Sequence, residues 1–384
     1  MPLTPQPLSL YIHIPWCVQK CPYCDFNSHA LKHDIPKQDY INALIKDLDD
    51  DIARFKLQNR QLHTIFIGGG TPSLFSAKGI GEILSQVKAR FNIDEDQFEV
   101  TLEANPGTVE ADKFVGFAKA GVTRLSIGVQ SFESDKLIKL GRIHDSDQAK
   151  KAARLAKTAG IKSFNLDLMH GLPEQNLEHA LDDLKTAIAL EPDHISWYQL
   201  TIEPNTAFYS KPPELPQDET LWSIQEQGVE LLEAAGYHQY EISAYAKDGK
   251  KCQHNLNYWR FGDYLGIGCG AHGKVTDIAS GKLIRTVKIK HPKGYLTPGR
   301  AALDQLVEVE QDDLTFEFLM NQLRLKEAFS TTHFSQCTGL DKNELEIQLT
   351  LAKTKGLMAN QDQLWQVTEK GHRYLNELLS QFLS

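Results

Sequence analysis

The 384-residue chain lacks any run of 18 apolar residues, and its opening segment, MPLTPQPLSLYIHIPWC, lacks a charged n-region followed by an apolar h-region. Neither a membrane-spanning helix nor a secretory leader is expected, and the expected setting is the cytoplasm. Cysteine is scarce: six in the whole chain, three of them within eight residues. That is too few and too clustered for a disulfide scaffold and reads as ligand or redox chemistry in a reducing compartment. Positive charge is short as well, with 41 Lys+Arg against 50 Asp+Glu and a net charge of -9. A generic nucleic-acid binder is basic, so no nucleic-acid partner is expected.

What is present is an alternation of short β-branched runs with amphipathic stretches. Strands are expected at Ser9 to Ile14, Thr64 to Ile67, Glu99 to Glu103, Leu125 to Val129, Ser163 to Leu168 and His194 to Leu200. Helices are expected between them, the clearest over Lys37 to Phe55 with Tyr40, Leu44, Ile45, Leu48 and Ile52 at helical spacing. Six such units by about residue 235 predict an α/β fold with a mainly parallel sheet, open or bent into a partial barrel. Residues 236–310 are aromatic, Gly-rich and irregular, and read as a barrel extension and a site cover rather than as another β-α unit. Residues 311–384 read as a small module of two helices, a hairpin centred on Asn360 to Gln363 and a last helix, which is a winged-helix pattern. Its 7 Lys+Arg against 10 Asp+Glu oppose a DNA-tracking face and favour a structural or docking role.

The strongest chemical signal is Cys17-Val-Gln-Lys-Cys21-Pro-Tyr-Cys24, placed directly after the first expected strand. Thiolates at this spacing can converge on iron or zinc. An iron–sulfur cluster held by three cysteines keeps one iron free for a small molecule. Zinc would want a fourth ligand, which His13 or His29 could supply. Gly68-Gly69-Gly70-Thr71-Pro72 ends the second strand, where a chain without side chains can approach a ligand closely.

The C-x3-C-x2-C spacing and the glycine run resemble the radical S-adenosylmethionine enzymes. The resemblance narrows with Tyr11-Ile-His-Ile-Pro-Trp-Cys17, Glu103-Ala-Asn-Pro106, Gly128-Val-Gln-Ser131, Leu140-Gly-Arg-Ile-His144, Asn165-Leu-Asp167-Leu-Met-His-Gly-Leu-Pro173 and Gly266-Ile-Gly-Cys-Gly-Ala-His272. Together, over about residues 8–375, these are similar to the oxygen-independent coproporphyrinogen III oxidase family and its haem-chaperone branch. The resemblance implies a partial (β/α)6 TIM-like radical SAM barrel with additional strands and a winged-helix-like end, the core occupying residues 1–235. It implies a [4Fe-4S] cluster on Cys17, Cys21 and Cys24. It also implies an S-adenosylmethionine site drawing on Tyr11, Gly69, Thr71, Glu103, Gln130, Arg142 and Asp167. Tyr11 and Phe26, counted among the residues around the cofactors, read equally as plain aromatic packing.

Two departures from the oxidase pattern bear on function. The oxidases carry a further cysteine two residues after the third, where this chain has Phe26, and there is little room for an N-terminal extension before the first strand. Both favour the chaperone branch, which binds haem and delivers it rather than decarboxylating coproporphyrinogen. His254-Asn-Leu-Asn-Tyr-Trp259 resembles that branch's haem motif, with His254 able to ligate iron and Tyr258 and Trp259 able to stack on a porphyrin. A buried histidine in an aromatic patch is the plainer reading. The implied partners are haem and an apo-haem-protein acceptor, with the inner membrane surface as one place for it; oligomeric state is open. Two other readings stand beside this one: a radical enzyme acting on a porphyrinogen, and a zinc-stabilised module.

Overall fold

The computed structural model describes residues 3–108 and 111–383. Six parallel strands form the centre: β1 (Leu8–Ile14), β2 (Leu62–Gly69), β3 (Glu99–Ala104), β4 (Arg124–Gln130), β5 (Ser163–His170) and β6 (His194–Gln199). The long helices of the repeats are α1 (Lys37–Phe55), α2 (Ala77–Lys88), α3 (Ala111–Lys119), α4 (Ser146–Thr158), α5 (Leu177–Ala189) and α6 (Asp218–Ala234). Residues 236–310 add β7 (His238–Glu241), β8 (Ala244–Ala246), α7 (Gln253–Trp259), β9 (Asp263–Ile267), β10 (His272–Asp277), β11 (Lys282–Lys288) and β12 (Leu303–Glu308). All twelve strands make one sheet in the order β12-β11-β10-β9-β1-β2-β3-β4-β5-β6-β8-β7. The 236–310 segment thus extends both edges of the existing sheet, running parallel to β1 through β9 and antiparallel elsewhere.

The period-two pleat sorts side chains strictly. Leu10, Ile12, Ile65, Ile67, Val100, Leu102, Leu125, Ile127 and Leu166 pack in one apolar cluster with Leu44, Leu48, Ile83, Phe117, Ala153 and Leu184 from the helices. The alternate positions carry Tyr11 and Glu103 and, joined by hydrogen bonds across the other face, Ser9 with Thr64 and Ser126 with Asn165, Asp167 and His194. That face is the polar interior of a partial barrel. Against the helix side, α6 lies so close to the sheet that a Cβ on Gly228 would meet the Trp197 ring at 2.0 Å.

The irregular-looking HNLNYW segment is in fact helix α7. Its start has no side-chain cap of its own. Instead the Glu99 carboxylate, at the first residue of β3, accepts from the backbone N–H groups of Gln253 (3.1 Å) and His254 (3.0 Å). A helix held from another strand has no local start signal, which is why the sequence pattern hides it. It closes the amino end of the barrel interior.

The last module comprises α8 (Leu314–Gln322), β13 (Phe329–Ser330), α9 (Thr331–Thr338), α10 (Lys342–Thr354), β14 (Met358–Gln361), β15 (Leu364–Val367), α11 (Glu369–Arg373) and α12 (Leu375–Ser380). The expected hairpin is present, turning at Asp362 and Gln363, both at positive φ, as a two-residue turn requires. Helix α9 and strand β13 were not foreseen. Phe261, from the turn before β9, and Leu283 of β11 enter the module's core, so the two parts share buried apolar surface.

One buried ionic group ties α1 to β11. Lys288 donates to Asp47 and, at 2.7 Å, to Asp51, while Asp47 also accepts from Tyr295 Oη at 2.7 Å and Gly268 N at 3.0 Å. Removing the cation leaves two buried carboxylates uncompensated. Lys288→Met is therefore expected to cost about 3–5 kcal/mol in urea denaturation, with a loss near zero as the contrary result.

Candidate metal and cofactor site

The three cysteines lie in the loop after β1, which is tied down at several points. Trp16–Cys17 pairs in parallel with His29–Ala30, Cys24 N donates to Cys21 O at 3.2 Å, and Leu31 N donates to Cys17 O at 2.9 Å. Asn27 Nδ2 donates to the carbonyls of Cys269 and Lys290, both at 2.9 Å. The glycine run is stitched to the same loop, Gly70 N donating to Ile14 O at 2.7 Å and Thr71 N to Trp16 O at 2.8 Å. Gly69 has φ +108, and a Cβ there would sit 2.4 Å from the His13 ring. No other residue type fits.

All three thiols line one cavity of about 300 Å3 at the carboxyl end of the parallel strands. Gly69, Thr71, Glu103, Gln130, Arg142, Asp167 and Phe26 share its wall. Arg142 Nη1 lies 3.6 Å from Cys21 Sγ and Nη2 donates to Gly128 O at 2.8 Å, while its buried Nε has no partner. Burial pushes the Cys17 and Cys24 thiols up, with Ser28 opposing the shift in both. Glu103 accepts from Gly69 N at 2.9 Å. Burial first and the Asp167 charge second push its carboxyl up to about 7. Asp167 accepts from Ser126 Oγ and Asn165 Nδ2, both at 2.8 Å, yet burial still raises its carboxyl. Gln130, at φ +69, accepts from Tyr198 Oη at 2.9 Å.

This donor set fits an iron–sulfur cluster with a polar nucleotide beside it: sulfur on one wall, a glycine cradle beside it, and buried acids and an arginine facing the remaining space. Among the described residues no three His, Cys, Asp or Glu side chains converge closely enough to clasp one ion. A cluster does not need such convergence, since its irons sit at separate corners. His13 is committed elsewhere, with Nδ1 to Tyr11 Oη and Nε2 to Asn27 O, both at 2.9 Å. His29 Nε2 bonds Lys290 O at 3.2 Å.

The sequence expectations separate on this geometry. Tyr11 is not on the cavity wall: it bonds His13 and stacks on Phe66 at 6.3 Å, inside the barrel. Its place on an inward position one turn of the pleat below the loop accounts for that. His254 is 1% exposed, its Nδ1 2.8 Å from Thr64 Oγ1 and its ring against Phe66 and Tyr258. A haem cannot reach it in this arrangement. Burial, with Arg124, pushes its imidazole down to about 3. Residues 236–310 do not cover the cavity either, since none of them lines it; they buttress the cysteine loop through Asn27. Tyr198, Ser126 and Tyr23 also line the cavity and were missed. Strand parity points to the first two, because Ser126 and Tyr198 share the inward phase of Asp167.

Comparison with known proteins agrees with this site. The Radical SAM superfamily model matches residues 11–187 and the HemN C-terminal domain model matches residues 309–374. The heme chaperone HemW of Haemophilus influenzae is 58% identical over 386 residues, covering 100% of both chains. The heme chaperone HemW of Escherichia coli is 58% identical over 378 residues, covering 98% of each. Among solved structures, the coproporphyrinogen III oxidase HemN of Escherichia coli, described as a radical SAM enzyme, superposes with a TM-score of 0.82 at 23% identity. The match covers 99% of this chain and 91% of that one. At that identity the likeness is one of fold.

The other three cysteines are buried, and burial pushes the thiols of Cys252, Cys269 and Cys337 up to about 12. A native, metal-free sample treated with a maleimide should therefore label at Cys17, Cys21 and Cys24 and at the others only after denaturation. Equal labelling of all six by mass spectrometry would contradict this placement.

Proposed function

The chain belongs to the HemW haem-chaperone family of the radical SAM superfamily, and from that premise we propose that it binds haem and hands it to an acceptor haem protein. The observation that carries the reading is the 58% identity to haem chaperones over the whole chain. The cavity supports a cluster and an S-adenosylmethionine site alongside that role. Cys17, Cys21 and Cys24 would hold a [4Fe-4S] cluster, and Arg142 would stay beside the Cys21 sulfur. When bound, the cluster supplies an electron and one iron open to the nucleotide's methionyl group. Glu103, Asp167 and Gln130 would hold the nucleotide's polar groups, with Gly69 and Thr71 presenting backbone groups to it. Phe26, 59% exposed on the cavity rim, replaces the sulfur of the oxidases with an apolar ring. It supports the absence of coproporphyrinogen decarboxylation.

The proposed setting is the cytoplasm. Among the described residues no helix is long and apolar enough to cross a membrane, so delivery to an acceptor at the inner membrane surface would be by peripheral contact. A radical enzyme acting on a porphyrinogen is the second reading, favoured by the intact set of acids and Arg142 around the thiols.

Anaerobic reconstitution decides between them. The chaperone reading expects about four irons per chain, saturation with about one haem, and no decarboxylation of coproporphyrinogen in the presence of S-adenosylmethionine and a reductant. Cys21→Ala should lose the cluster's visible absorbance. Decarboxylation without stable haem binding would reverse the assignment.

Glu103 gives a pH test. With its carboxyl raised to about 7, the free protein holds that proton in mildly acidic solution, whereas an ammonium-bearing ligand binds the ionised form. S-adenosylmethionine affinity should rise by up to about tenfold per pH unit below neutrality and level off above it. Glu103→Gln should flatten the profile; an unchanged slope in calorimetric titrations would show that another group carries it.

A further inference from the structure

Haem is a large flat group with two carboxylates, and neither the 300 Å3 cluster cavity nor the sealed His254 offers it a place. A much larger groove, about 1150 Å3, lies between strand β6, helix α6 and the C-terminal module. Tyr198 of β6 is common to both linings, so the groove and the cluster cavity meet at that strand. Cavities that hold small ligands run about 300–1,000 Å3, and this groove, at about 1150 Å3, lies just above that range.

Its chemistry is divided by wall. Helix α6 contributes Trp222, Leu221 and Val229 as apolar surface, with Asp218, Glu226 and Glu230 along the same side. The module contributes Arg324, Lys326, Lys370 and Arg373, with Glu369 as its one acid there, and also His372 and Tyr374. Arg373 stacks over Trp222 at 3.9 Å, so an exposed indole already has a cation on its face. Four nitrogens in the lining are buried without hydrogen-bond partners: Nε2 of His372, Nδ1 of His170, Nε1 of Trp197 and Nε of Arg324. His170 is 2% exposed, its ring 4.3 Å from that of Trp197, and is not free to ligate. His372 is only half-buried.

We propose that this groove is the haem-binding site, with the porphyrin against the Trp222 wall, its carboxylates toward the cations of the C-terminal module, and His372 as the iron ligand. The proposal rests on the haem-chaperone reading and locates its cargo. Burial, with Lys326 adding to it, pushes the His372 imidazole down to about 4, so it is neutral at pH 7, the form that binds iron. The HNLNYW helix then acts at one remove. Trp259 carries the Arg324 guanidinium on its ring at 4.3 Å, and Arg324 also bonds Glu241 at 3.3 Å. The motif positions one cation of the groove, while its histidine remains inside the barrel.

The test is a titration of the full, cluster-reconstituted chain with ferric haem, read by the Soret band and by tryptophan quenching, and in parallel with metal-free protoporphyrin IX. His372→Ala should move the Soret band and weaken haem by about tenfold or more, with free imidazole restoring the band, while protoporphyrin affinity changes little. Val229→Trp, which fills the groove, should weaken both ligands about tenfold or more, and Lys326→Glu should weaken both less. His254→Ala should leave the Soret band in place. Thermal melts identify any variant that fails to fold, and the imidazole rescue is independent of folding losses. If wild type binds haem but His372→Ala and Val229→Trp bind it unchanged, or only His254→Ala loses it, the groove assignment is overturned and the chaperone reading survives. If wild type binds no haem, both fall.

Discussion

A parallel sheet bent into a partial barrel must satisfy whatever its inner face carries, and here that face carries ionisable groups from nearly every strand. Water cannot do the work in a closed interior, so each polar group needs a protein partner or a ligand. Near the amino ends of the strands the partners are internal: Asn165 Oδ1 lies 2.6 Å from His194 Nδ1, and Glu99 accepts from the start of α7. At the carboxyl ends the polar groups also border open space. Glu103, Asp167 and Arg142 face a cavity there, and Arg142 Nε has no partner. The site lies where the barrel's inward polar groups meet that space.

The same constraint explains the role of α7. A seven-residue helix is too short to stand alone in water, and it exists because a strand carboxylate holds its first N–H groups while Phe66 packs on its His254 and Tyr264 on its Tyr258. Placing His254 beneath Thr64 stops the barrel at its lower end. Trp259, at the other end of the helix, meets Arg324 of the C-terminal module. One short element thus links the floor of the barrel to the wall of the interdomain groove. The shared core around Phe261 and Phe318, with Arg285 paired to Glu317, fixes the module against the sheet, so the groove has two fixed sides.

The six β-α units, the cysteine loop and the glycine run could be read in the sequence because each depends on neighbours in the chain. Strand pleat, helix periodicity and a loop three or four residues wide are short-range patterns. The module's hairpin was readable for the same reason. Helix α7 and the inward orientation of Tyr11 were not, since one depends on Glu99, more than 150 residues away, and the other on which face of β1 meets the helices. The edge strands of residues 236–310 also escaped, because irregular aromatic composition does not say which sheet edge will accept them.

The sequence by itself determined the family and the ligand types: three thiols at fixed spacing, glycines at a strand end, and acids in the inward phase of the strands. Those are properties of residue identity and interval. Only the tertiary structure decided which of them share a space. It set Glu103 beside Asp167 and raised its carboxyl, sealed His254 within the barrel, and opened a groove between α6 and the module, because burial and charge proximity arise from packing between segments distant in the chain.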